Sequence, residues 1–132
     1  MTPTMTTDIS TTLISIALFG ALGAISRYFC SYLPDYMGIP MGTATVNIVG
    51  SLLLGLSTSI FLVAPYPGWF KTGLTTGFLG AFTTFSTFSV DNAKLIQDQS
   101  YIAAGVNILG QLILGVTMAL LGLYLGTKWF QN

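Results

Sequence analysis

Between Gly77 and Asn92 the chain reads GFLGAFTTFSTFSVDN, where Thr83, Thr84, Ser86, Thr87 and Ser89 place five hydroxyls in seven residues. Phe82, Phe85 and Phe88 recur every third residue among them and would share one slowly drifting stripe of a helix. A phenyl ring has a negative face and a positive edge. Ring edges interleaved with hydroxyl donors therefore suit a small anion that sheds water, without the cost of a fixed positive charge. Upstream, Thr43, Asn47 and Ser51 are spaced by four and share a helix face. Asn47 in an apolar stretch needs a partner, and its amide suits either another helix or an anion. Asn107 and Gln111 repeat that spacing near the C-terminus. Gly77 and Gly80 both cost helix stability, and crowded Thr residues follow them. The pattern fits a helix break whose freed carbonyls bind a small cation. Taken alone, the residues fit better an unbroken helix whose hydroxyls bond back to their own carbonyls.

Covalent chemistry lacks its parts. The sequence contains no His and no Glu, and its single cysteine, Cys30, has no intrachain disulfide partner and no metal-ligand spacing. Proton relays, zinc sites and most nucleophile–base pairs need those residues, so an enzyme is not expected.

The elements that must hold these side chains are set by composition. Of 132 residues only 6% are charged and 52% are hydrophobic, with mean hydropathy +0.76. A soluble chain carries about 25% charged residues, so the composition points to an integral membrane protein. Four Lys or Arg balance four Asp, which leaves no footprint for nucleic acid. Four apolar stretches are expected to be helices, at about 12–33, 41–64, 69–92 and 101–129. Each is longer than the ~20 residues that cross ~30 Å of hydrocarbon. Pro34, Pro40, Pro65 and Pro67 bracket two of the short connections. Residues 1–10 form a polar, Thr-rich tail without the positive region of a cleavable signal. The first helix is therefore expected to be retained, and residues 11–132 to form one transmembrane domain.

Flanking positive charges set membrane orientation. With four spans, Lys71 and Lys128 fall on one side and Arg27 and Lys94 on the other, a balance that states no preference. Insertion in both directions, and an antiparallel pair about an axis in the membrane plane, is compatible with that count. Gly73 with Gly77, and Gly122 with Gly126, are GxxxG pairs that allow close helix approach. For each, packing inside one subunit is the simpler use.

These motifs together resemble the CrcB/Fluc fluoride channel family over nearly the whole chain. The resemblance rests on GALGAISRY closing the first helix, on Gly42, Thr43, Val46, Asn47 and Gly50 opening the second, and on GxxGxxTTFSTFS in the third. It implies an all-α, four-transmembrane-helix protein with a broken third helix, assembled as an antiparallel dual-topology homodimer in the cell inner membrane. It further implies that ring edges of Phe85 and Phe88 line the ion pathway beside the hydroxyls of Ser86 and Thr87. Asn47 matches the family's pore asparagine, and Arg27 its vestibule arginine, though an interfacial anchor explains Arg27 as well. Carbonyls of Gly80 and Thr83, two from each subunit, would hold a structural sodium ion (Na+) at the dimer centre. The chain departs from the family pattern at Asp91, where Glu is common. It departs again on the fourth helix, where Gly115 stands near the expected hydroxyl, two residues from Thr117. Tyr101 matches a family tyrosine or anchors that helix at the interface.

The expected function is passive, fluoride-selective export down the electrochemical gradient, giving fluoride resistance. The alternative is a small proton-coupled dual-topology exporter. That carrier needs a titratable carboxylate inside the membrane, and Asp8, Asp35, Asp91 and Asp98 all fall near expected helix ends.

Overall fold

A computed structural model describes residues 8–129. Helix α1 spans Ile9–Cys30, α2 Met41–Val63, α3 Gly68–Thr72, α4 Gly80–Phe82, α5 Phe85–Gln97 and α6 Tyr101–Trp129. A π-helical stretch, Gly73–Leu79, joins α3 to α4. Among the described residues there is no strand; an isolated bridge between Tyr36 and Ile39 closes the turn at Met37 and Gly38, both at positive φ.

Local chemistry explains the ends. Asp8 accepts a hydrogen bond from the Ser10 amide and caps α1. Ile9 and Ser10, counted by composition in the polar tail, therefore belong to the first helical turn, and residues 1–7 lie outside the described residues. Pro40 and Pro67 precede α2 and α3, where a missing N–H costs nothing. At the end of α5, Gln99 turns to φ 58° and the Ser100 amide reaches back to the Leu95 carbonyl at 2.8 Å. That left-handed closure reverses the chain into α6.

Three helices, α1, α2 and α6, are long and apolar enough to cross a membrane. The third apolar stretch does not yield a fourth such helix. It runs helically over residues 68–82, leaves helical geometry at Thr83 and Thr84, and resumes at Phe85. It also continues to Gln97, five residues past the expected end at 92, because α5 is the polar end of the segment and hydropathy understates it.

Burial is inverted relative to a soluble protein. Leu13, Leu18, Leu22, Ile102, Leu112 and Ile113 are exposed, whereas Ser15, Ser59, Asn92, Asn107 and Gln111 are buried. Such an arrangement is stable only where the surroundings are apolar and interior polar groups bond to one another. The chain is a multi-pass membrane protein. Glycines bring its helices together: a methyl group on Gly23 would collide with the Phe78 backbone, one on Gly55 with Ala119, and one on Gly122 with Leu52. Gly73 and Gly77 pack on α1 at Ser15 and Ile16, and Gly126 packs on Ser59. Both GxxxG pairs are thus used inside the chain. The Ser59 hydroxyl adds a bond across the α2–α6 seam, donating to the Leu123 carbonyl at 2.7 Å.

Candidate functional site

The interruption at Thr83 (φ −83°, ψ 157°) and Thr84 (φ −152°, ψ 118°) is the centre of the site. Extended backbone there releases amides and carbonyls that must be paired. Asn47, projecting from α2, takes both groups of Thr84. Its Oδ1 accepts the Thr84 N–H at 2.8 Å, and its Nδ2 donates to the Thr84 carbonyl at 3.0 Å. The Thr84 hydroxyl then caps α5 by accepting the Thr87 N–H at 3.1 Å, and it donates to the Thr87 hydroxyl at 3.0 Å. Ser86 Oγ lies 3.3 Å from the same hydroxyl.

The carbonyls from Gly80 to Thr83 lose their helical donors at the break, those of Gly80 and Thr83 by diversion. In an unbroken helix the Thr84 N–H would bond to the Gly80 carbonyl and the Thr87 N–H to that of Thr83. Here the first goes to Asn47 and the second to the Thr84 side chain. Gly80 itself stays right-handed (φ −64°, ψ −36°) and exposed, so the change of backbone direction lies at Thr83 and Thr84 and not at the glycine. The Thr83 hydroxyl bonds back to Leu79 at 2.9 Å.

Asn47 is also the start of a polar seam. Its Nδ2 donates to Gln111 Oε1 at 2.8 Å, Gln111 Nε2 to Asn107 Oδ1 at 2.8 Å, and Asn107 Nδ2 to Asn92 Oδ1 at 3.0 Å. Asn92 Nδ2 donates to the Phe88 carbonyl at 2.8 Å. Both amide protons of Asn47 are thereby committed to protein, the first of the two partners, another helix or an anion, that its sequence position allowed. One turn before Asn47, the Thr43 hydroxyl donates to Asp91 Oδ2 at 2.7 Å. Asp91 is thus held between helices rather than free in solvent.

The aromatic pair is adjacent. Phe85 and Phe88 have ring centroids 5.8 Å apart and planes 38° apart. Phe85 is 79% exposed and Phe88 half-buried. Phe82, on the far side of the break, is buried and stacks on Phe78 at 5.8 Å. The expected three-ring stripe is therefore divided, because Thr83 and Thr84 carry the register across an extended step. A cavity of about 240 Å³ opens beside the break, lined by Asn47, Gly50, Ser51, Thr83, Thr84 and Phe85. Of the expected pathway residues it gathers Asn47 and Phe85, with the Ser86 and Thr87 hydroxyls tied to its wall through Thr84. Arg27 stands apart from that lining, in the last turn of α1, one turn beyond the contact of Gly23 with Phe78. A larger groove of about 500 Å³ lies near Met37, Tyr101, Ile102 and Val106. It is mainly apolar and holds none of the polar seam, so size is a poor guide to the chemistry here.

Sequence reasoning missed the partners Asn92 and Thr84. The Asn92–Asn107 bond joins separate helices, and no spacing within one helix signals it. Thr84 was legible only as one hydroxyl among five.

A protein-family profile described as CrcB-like protein, Camphor Resistance (CrcB), matches residues 14–123. A protein of Syntrophotalea carbinolica named fluoride-specific ion channel FluC is 47% identical, over 88% of this chain and 98% of its own length. Proteins of the same name from Geobacter metallireducens and Photobacterium profundum are 42% and 47% identical, over 85% and 86% of this chain and 94% and 92% of their own.

Proposed function

Because the chain belongs to the CrcB-like family, we propose that it is a fluoride-selective passive channel, and not an enzyme, that lets fluoride leave down its electrochemical gradient. The relatives' shared name supplies the ion. The observation on this chain that supports it best is the cavity at the break. It joins hydroxyls, a carboxamide and an exposed aromatic edge without any fixed charge in its lining. The lining donors are already bonded within the protein, so the ring edges of the aromatic pair and the Thr87 hydroxyl beside the cavity are what meets a small anion in this reading, and a narrow path of that kind selects by fit.

In this reading Phe85 and Phe88 present ring edges to the ion, Thr87 offers its hydroxyl proton beside them, and Ser86 adjoins it with its own proton on the Thr84 oxygen. The Thr87 oxygen already accepts from Thr84, which leaves its own proton to donate outward. Asn47 borders the path and holds its wall, since its protons are bound to Thr84 and Gln111. Arg27 biases the approach toward anions. A negative interior drives export at about 2.3 kcal/mol per charge per 100 mV, so no nucleotide or proton gradient is required.

An exposed Phe85 and a one-sided cavity call for a covering surface. A second, inverted copy of this chain fits, given the even split of Arg27, Lys71, Lys94 and Lys128. The carbonyls of Gly80 and Thr83, whose helical donors are diverted, are hard oxygen ligands suited to sodium. A cation bound there would contribute a fixed positive charge near the route.

Fluoride efflux from liposomes containing purified protein tests the reading. Fast, voltage-driven efflux at equal pH on both sides is expected. Slow flux that requires a proton gradient would replace it with the proton-coupled exporter, with Asp91 as the carrier's carboxylate. No flux would leave neither.

A further inference from the structure

The polar seam closes on itself. It begins at Thr84, passes through Asn47, Gln111, Asn107 and Asn92, and ends on the carbonyl of Phe88. Thr84 and Phe88 bound the first turn of α5, the turn that carries Phe85, Ser86 and Thr87. Four carboxamides from α2, α5 and α6 therefore clasp one helical turn from both of its ends.

The clasp has a fixed sense. The Phe88 carbonyl only accepts, so Asn92 must point its NH₂ at it and its oxygen toward Asn107. Each following amide is then forced the same way, until Asn47 must give its NH₂ to Gln111. At the other end the Thr84 N–H only donates, which requires Asn47 to present its oxygen there. Both ends demand the same polarity, so no amide can flip without leaving two like groups face to face. Asn92 and Asn107 are 5% and 2% exposed, where an unmade bond is not replaced by water.

We propose that Asn92 and Asn107 are positioning residues that set the rotation of the first α5 turn, and with it the placement of the Phe85 and Phe88 rings. Neither lines the cavity, so each acts through its neighbours. The inference rests on the channel reading above and adds residues to it. Gln111 shares the clasp but touches Asn47 directly, which makes Asn92 and Asn107 the cleaner probes.

The test compares wild type, Asn92→Leu, Asn107→Leu and the double variant in liposomes, at equal amounts of assembled protein. Fluoride flux and the fluoride-over-chloride preference are both read. Each single variant is expected to lose roughly tenfold in flux, the factor that ~1.4 kcal/mol represents, together with part of its preference. The double variant should match the worse single one, because one cut opens the clasp. Wild-type flux and preference in assembled single variants, or additive losses in the double, would overturn the proposal. A purely structural role predicts less assembled protein with unchanged preference. Hydrogen exchange of side-chain amides in the wild-type protein reads the clasp directly and needs no variant to fold. The Asn92 and Asn107 NH₂ groups should exchange far more slowly than those of the exposed Gln97 and Gln99. Equal rates would overturn the proposal. A wild-type protein silent toward fluoride would remove the channel reading, while the exchange result would still decide whether the clasp exists.

Discussion

Gly50→Ala probes the wall of the cavity with a single methyl group. A Cβ at Gly50 would come closer to Thr83 Cγ2 than carbon atoms approach in proteins, while the next neighbours, Phe82 Cδ1 and Thr83 Cβ, stand at 3.5 and 3.7 Å, ordinary contact. One methyl group thus accounts for the whole clash. Thr83 would have to retreat by about 1 Å, and overpacking of that kind costs about 1–3 kcal/mol. Alanine's helix preference over glycine offsets up to ~1 kcal/mol. Gly110→Ala calibrates that offset, because a Cβ there meets nothing within 4 Å. Adding Thr83→Ser to Gly50→Ala deletes the offending methyl and keeps a hydroxyl able to donate to Leu79. The double variant should return to within ~1 kcal/mol of wild type, the value of one buried CH₂. Thermal stability in detergent and fluoride efflux from liposomes are the assays. Gly50→Ala alone should lower both, with flux down about tenfold if ~1.4 kcal/mol of the strain reaches the path. The reasoning is refuted if Gly50→Ala behaves like Gly110→Ala, or if Thr83→Ser brings no recovery.

Phe85→Ile and Phe88→Ile should each cut fluoride flux while leaving assembly intact, since isoleucine fills space but has no positive edge; wild-type efflux in both would remove the ring-edge path. Asn47→Asp replaces an NH₂ that donates to Thr84 and Gln111 by an oxygen. It should suppress flux and lower stability by about 1–3 kcal/mol, and an unchanged conductance would take Asn47 out of both roles. Gly126→Leu should cost more stability than Gly105→Leu, because Gly126 lies against Ser59 and the Leu56 carbonyl while Gly105 meets nothing within 4 Å; equal melting temperatures would contradict the α2–α6 seam.

How much of this was legible in the sequence depends on the range of the signal. Hydropathy located α2 and α6 to within a residue, because both are uniformly apolar and bounded by Pro40 or by the turn at Gln99. It placed α1 three residues late, because Ile9 and Ser10 belong to a polar first turn that Asp8 caps. The third stretch resisted. Five hydroxyls marked it as unusual, yet back-bonding and a break predict the same composition, and both occur: Thr75, Thr83 and Ser89 bond back to carbonyls four residues earlier, while Thr84 leaves the helix. What distinguishes Thr84 is a partner 37 residues away, Asn47, and no local pattern encodes that.

The same limit applies to Asn47, whose choice between another helix and an anion its spacing left open. Spacing by four showed that Asn47 shares a face with Thr43 and Ser51, but a shared face does not say what it faces. In the fold that face meets three different groups. Thr43 meets Asp91, Asn47 meets Thr84 and Gln111, and Ser51 turns back to the Asn47 carbonyl. A polar line in a membrane helix therefore serves two ends at once. It satisfies backbone that the break exposes, which lipid cannot do, and, on the proposed channel reading, it leaves ring edges and the Thr87 hydroxyl to meet an anion. A carboxamide spent on structure keeps strong donors out of the cavity, and weak donors are what allow an anion to enter and leave again. Selectivity on this view is set less by what reaches into the path than by how rigidly its wall is held.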